Sequence, residues 1–287
     1  MSIRSHKKVR LSRSIGGNIG VFLFLLLLGA FMALPMIYSI IQSFKPIEEF
    51  FAFPPKFFVR SPTLSNFKSV FQVAGGLWVP FSRYVFNSLF VTIVGTAASV
   101  IISSLAAYPL AKIRFPGAVV ITQLVIWTIL FRPEVLTIPQ YMVLSELHMI
   151  DTYWALLLPP LASTLGIFLM RQFMEVAIPD AVLEAARLDG ANEFQTLGRI
   201  VLPSVKPAWL TLIIFTFQNL WNLTANQYIY DETLKTLPSV LSTIVTGGIA
   251  RQGAGYAVTV LLMIPPILIF LLAQNSVMET MAHSGLK

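Results

Sequence analysis

Apolar residues run along this chain in long blocks separated by short polar stretches. The pattern shows neither the alternation of a half-buried strand nor the single stripe of a soluble helix. Residues 19–43 carry no charge, and at about 1.5 Å per residue a helix of that length crosses a hydrocarbon core of about 30 Å. Uncharged blocks recur at 84–110, 118–131, 152–170, 208–223 and 256–277, and each reads as a further span. The first block exceeds the apolar region of a cleavable signal peptide, typically about 7–15 residues, so it is expected to be retained.

Proline and small residues refine this layout. Pro35 should kink the first span, Pro159-Pro160 interrupts the fourth, and Pro265-Pro266 falls at mid-depth in the sixth. Gly95, Ala97, Ala98, Ala106 and Ala107 in the second span permit close helix packing in lipid. Residues 44–83 are polar, aromatic and proline-bearing, and read as an external loop with short interfacial helices. The 111–117 stretch is a short turn, 134–151 an external loop, and 225–255 an external segment whose apolar middle is compatible with partial re-entry. The expectation is an all-α membrane protein of six transmembrane helices with both termini cytoplasmic. Its parts are a basic tail (1–18), a membrane domain (19–277) and a C-terminal tail (278–287).

Composition agrees. Hydrophobic residues make up 56% of the 287 and charged residues 11%, against about one-quarter charged in soluble domains; mean hydropathy is +0.75. The net charge of +7 does not point to nucleic acid. Much of the excess is Arg4, Lys7, Lys8, Arg10 and Arg13 ahead of the first span, the mark of a cytoplasmic flank. On this topology twelve of the twenty lysines and arginines lie inside, a modest bias in the expected direction.

The six blocks contain no Asp, Glu, Lys, Arg or His. Ion-coupled carriers and proton pumps need such groups within the membrane, so a carrier of that kind and a His- or Asp-dependent intramembrane protease are both disfavoured. No GxxxxGK[ST] phosphate loop is present, so energy must come from another subunit. There is no cysteine, and His148 has no second ligand at metal spacing, so no metal site is expected.

A charge-bearing interruption between the fourth and fifth blocks is 178–207, IPDAVLEAARLDGANEFQTLGRIVLPSVKP. Pro179 and Asp180 read as a helix start. Val182, Leu183, Ala185, Ala186 and Leu188 give an apolar or small face, and Glu184 and Arg187 are spaced to pair. Gly190 sits where a terminator of positive φ belongs. A second short helix is expected from Asn192 toward Ile200, closed by Pro203 and Pro207. Two short surface helices with small side chains outward and one carboxylate suit docking into a groove of another protein; the plain alternative is an amphipathic connector.

Glu184-Ala185-Ala186, three residues, Gly190, nine residues, then Ile200-Val201-Leu202-Pro203 resembles the EAA loop of ABC-importer permeases, and the wider text is similar to the maltose-type carbohydrate branch. The similarity runs from Pro35 to the C-terminus, with the EAA loop its sharply diagnostic part. The resemblance implies a permease subunit of an ATP-driven carbohydrate importer in the bacterial plasma (inner) membrane, forming half of the translocation path. Implied partners are a second, homologous permease, two cytoplasmic ATP-binding subunits and an extracellular substrate-binding protein. No cofactor would sit in this chain, and ATP and Mg would be bound by the partner ATPase; the chain itself would not be an enzyme. Glu184, Ala185, Ala186, Arg187, Asp189 and Gly190 would form the ATPase-coupling element, with Glu184 facing a basic residue and Gly190 setting the angle to a second helix that continues into the fifth span. A permease for a non-sugar solute and a non-transporting membrane scaffold are the alternatives. Related permeases also imply a C-terminal tail inserted between ATPase subunits, although this chain lacks the usual final glycine and a frayed end fits equally.

Neutral polar groups cluster in the fifth span. Gln218, Asn219, Trp221 and Asn222 combine amides with an aromatic face, the chemistry that holds a sugar ring, and Gln123 and Trp127 offer less of it in the third span. Inter-helix hydrogen bonding and an interfacial aromatic belt account for the same residues. The resemblance further implies that the bound sugar contacts mainly the partner permease.

Overall fold

The structure, a computed structural model, describes residues 15–75, 79–224, 226–245, 248 and 251–284. Most of the basic tail and the last three residues therefore lie outside the described residues. All regular secondary structure described is helical: α1 (Ile15–Ser43), α2 (Ile47–Phe50), α3 (Ser65–Gly75), α4 (Phe81–Lys112), α5 (Ala118–Ile129), α6 (Pro133–Glu146), α7 (Tyr153–Leu161), α8 (Thr164–Ala177), α9 (Asp180–Leu188), α10 (Glu193–Thr196), a π-helical turn (Leu197–Val201), α11 (Leu202–Ser204), α12 (Lys206–Trp221), a 3₁₀ turn (Glu232–Leu234), α13 (Leu237–Val245) and α14 (Gln252–Ser284).

Helix α4 is the axis of the bundle, packing against α7, α8 and α12. Its serines, threonines and small residues let neighbours approach closely, as lipid-embedded helices require. A methyl group on Gly95 would come within 2.8 Å of Leu220, and one on Gly166 of α8 within 2.6 Å of the Ser103 hydroxyl. Helix α1, by contrast, is exposed along almost its whole apolar length and meets the bundle through α14 at its far end. There Tyr38 packs on Phe57 and Tyr256. Asn66 of α3 donates to the Ser43 and Lys45 carbonyls at 2.9 and 2.8 Å, tying off the end of α1.

Four helical stretches are long and apolar enough to cross a membrane, and a bent pair raises this to five. They match the expected first, second, fourth, fifth and sixth spans. The third differs: α5 has 12 residues, about 18 Å of helix, which is short of the hydrocarbon core. The chain then forms α6 where an external loop was expected. Pro133 at its first turn fits helix initiation, where the missing N–H is not needed, and the 14-residue helix absorbs Pro139.

The fourth span is broken as its two prolines predict, but it extends to Ala177 and its break falls at Ala162 and Ser163. The Ser163 hydroxyl caps α8 by accepting from the Gly166 N–H. The apolar middle of the 225–255 segment forms α13, packed on α4 and α14. Helix α14 runs on to Ser284, so the backbone of 278–284 is helical.

Candidate coupling loop and transport groove

Helix α9 starts after Pro179 and ends in a Schellman motif. The Ala191 N–H reaches back to the Ala186 carbonyl at 3.0 Å, the Gly190 N–H to that of Arg187 at 3.1 Å, and Gly190 takes φ +80°, where glycine alone pays no Cβ penalty. A capping box then opens α10: the Asn192 side chain accepts from the Gln195 N–H, and the Gln195 side chain from the Asn192 N–H. After α10 comes the π-helical turn, then α11, then Val205. There the axis bends by 83° between Glu193–Ser204 and Lys206–Trp221. The second helix thus does not continue straight into the fifth span. Pro207 accounts for the break, since its ring cannot follow on an unbroken helix.

Leu183 turns inward, joining Ile178, Met174, Leu197 and Val201 in one apolar cluster with Ala107 and Tyr108 of α4, and Ala186 is buried as well. Ala186 is therefore a core contact, not one of the outward small residues. Glu184, Ala185, Asp189 and Gly190 remain exposed, as do Leu188 at 89% and Phe194 at 78%. Two large apolar side chains thus stand open on the loop.

The anticipated Glu184–Arg187 pair does not form. The Arg187 guanidinium instead donates to Glu193 at 2.9 Å across the glycine turn, because the Schellman turn swings α10 back beneath α9. Glu193 also accepts from the Tyr108 hydroxyl of α4 at 2.6 Å. A second fastening joins Lys112, at the end of α4, to Asp180 at 2.8 Å. The Tyr108 hydrogen bond, then Arg187, holds the Glu193 carboxyl below its ordinary range; the hydrogen bond and charge of Lys112 do the same for Asp180. Sequence alone missed Tyr108, Lys112 and Glu193 because these contacts span 68 and 85 residues and no local periodicity reports them.

In α12, Gln218, Asn219 and Asn222 are exposed, whereas Trp221 is buried. Its indole N–H donates to the Leu262 carbonyl of α14 at 2.9 Å and its ring stacks on Phe217, so the expected aromatic face is committed to helix packing. Asn219 borders a cleft of about 330 Å³ that also reaches Pro159, Pro160 and Thr164 at the α7–α8 break. Gln123 and Trp127 lie on α5, away from that cleft; Trp127 is 54% exposed. Among the described residues no cluster of His, Cys, Asp or Glu could hold a metal.

No family model matches the chain. Individual relatives do. It is 30% identical over 277 residues, 87% of this chain and 91% of the relative, to the polygalacturonan/rhamnogalacturonan transport system permease protein YtcP of Bacillus subtilis (strain 168). It is 35% identical over 205 residues, 68% and 71% of the two chains, to the sn-glycerol-3-phosphate transport system permease protein UgpE of Yersinia enterocolitica. The chain belongs to the carbohydrate-type ABC-importer permeases. Its fold matches, with a TM-score of 0.74 at 24% identity over 92% of this chain and 98% of the other, that of a bacterial ABC transporter involved in the import of the acidic polysaccharide alginate. As a permease of this family it is a multi-pass protein of the inner membrane.

Proposed function

We propose that this permease is half of the membrane path of an ATP-driven oligosaccharide importer, with α9 its coupling element. It pairs with a second, homologous permease, two cytoplasmic ATP-binding subunits that carry ATP and Mg, and an external substrate-binding protein. The observation that carries the reading is the construction of the 178–207 loop. Its exposed surface joins Leu188 and Phe194 to the Glu184 carboxylate, while its inner surface is fastened to α4 by two independent polar links. Force delivered at that surface reaches the axis of the bundle without a slack joint. The 178–207 loop, and with it both termini, is cytoplasmic, and α5 with α6 completes a sixth pass.

ATP-driven closure of the partner subunits moves the loop as a body and shifts the bundle between inward- and outward-open populations. The exposed amides Gln218, Asn219 and Asn222 belong to the substrate path, and Trp221 supports them from behind. Co-expression with the neighbouring ATP-binding subunit and purification in detergent tests the assembly. Reconstituted vesicles loaded with ATP should take up oligosaccharide, and a Glu184→Lys variant should lose both uptake and ATPase association while inserting normally. Labelling of Glu184→Cys from the external face would end the reading.

A further inference from the structure

Three clefts, of about 330, 560 and 260 Å³, meet at Pro159 on the α7–α8 break. Neighbouring pairs share Thr164 and Gln140, so together they form one groove around a helix interrupted midway through its span. Asn219 and Gln227 complete its polar lining. None of the lining residues in the three clefts carries a formal charge.

Several of these groups are available to a solute. Gln140 accepts from the Tyr228 hydroxyl at 3.0 Å through its oxygen, which leaves its amide nitrogen to donate. Asn219 is exposed on a membrane helix, where lipid would leave both ends of its amide unpaired at considerable cost. Amide groups gathered beside a discontinuous helix form the kind of site that transporters build. Sugar hydroxyls, donors and acceptors at once, match this mixture. A carboxylate or phosphate would find no cation of this chain in the lining to compensate its lost hydration.

We infer that the groove at the α7–α8 break is a glycosyl subsite of the translocation path, selective for neutral sugar units over uronates and sugar phosphates. This rests on the importer reading above and adds to it the position of the subsite and the charge of the cargo.

The chain contains no cysteine, so single replacements report directly. Asn219→Cys and Thr164→Cys would be placed in the full transporter, with its other subunits made cysteine-free, in vesicles. Buried Leu212→Cys sets the background. Modification by a charged, water-soluble methanethiosulfonate is followed with xylotriose, maltotriose, cellotriose, trigalacturonate or glycerol 3-phosphate present. Both groove positions should react well above background. At least one neutral trisaccharide at ten times its dissociation constant should slow them about tenfold, while the two anions leave the rate unchanged. Background reactivity at both positions, no protection by any neutral trisaccharide, or protection by an anion instead would overturn the inference. ATP-dependent uptake by the same vesicles separates these failures from failure of the importer reading.

Discussion

The Tyr108 hydroxyl donates to the Glu193 carboxylate at 2.6 Å, joining the C-terminal end of the central helix to the start of the short helix that follows the glycine turn. Arg187 holds the same carboxylate from the opposite side of that turn. One acidic side chain thereby fixes the relative placement of α4, α9 and α10.

Removing that carboxylate should loosen the loop without unfolding the bundle. Glu193→Ala breaks two charge-assisted hydrogen bonds, and since its side chain is about half exposed the stability cost should be about 1 kcal/mol. Tyr108→Phe removes one of the two and should cost less. In both variants ATP hydrolysis should persist while uptake per ATP falls several-fold, measured side by side in vesicles. The two substitutions should be markedly non-additive. Additive losses would show that the contact is not made.

Gly190 discriminates between backbone and packing. A Cβ there meets nothing within 4 Å, so bulk alone does no harm, but φ +80° penalises any branched or aliphatic residue. Gly190→Ala should cost about 1–2 kcal/mol, and Gly190→Asn, which tolerates the left-handed region, should retain more uptake. Equal loss in both would remove the backbone explanation.

Acid should undo both fastenings together. The Glu193 and Asp180 carboxyls are held below their ordinary range, so the stabilisation is fully present above the unfolded carboxylate values of about 4 and is lost as pH falls through the lower folded values. Thermal denaturation should be flat from pH 7 to 5 with respect to these groups and decline below about 4. Glu193→Gln should flatten part of that decline.

Gly253 has no room for a side chain. Its added Cβ would stand 2.4 Å from the Asn66 amide oxygen, and moving Asn66 breaks its two bonds to the end of α1. Gly253→Ala should cost about 2 kcal/mol, and on an Asn66→Ala background most of that cost should vanish, read from the melting temperatures of the four proteins. A cost of the same size on both backgrounds would exclude the proposed clash.

Much of the fold was legible because lipid imposes a single rule, that long uncharged blocks become helices. The exceptions are instructive. Residues 118–131 read as a short span stopping near Arg132 and Pro133, and the helix closes at Ile129, too short to cross the hydrocarbon core by itself. Residues 133–146 looked like a loop because of their prolines and polar side chains, yet Pro133 occupies a position that starts helices. At the coupling loop, the helix, its glycine terminator and the Asn192 start were readable from local chemistry. The inward turn of Ala186, the partner of Arg187 and the burial of Trp221 were not, since each depends on a helix distant in sequence.

The 83° corner at Val205 has a mechanical meaning of its own. A push along the α10–α11 axis arrives almost square to the axis of α12, with hardly any component along it. On the proposed coupling role, thrust from a neighbouring subunit would displace the Lys206 end of α12 sideways and tilt the helix, not slide it along its own axis. Apolar residues would then keep their depth in the membrane while the tilt changes which neighbours the exposed amides at the Trp221 end of the helix face.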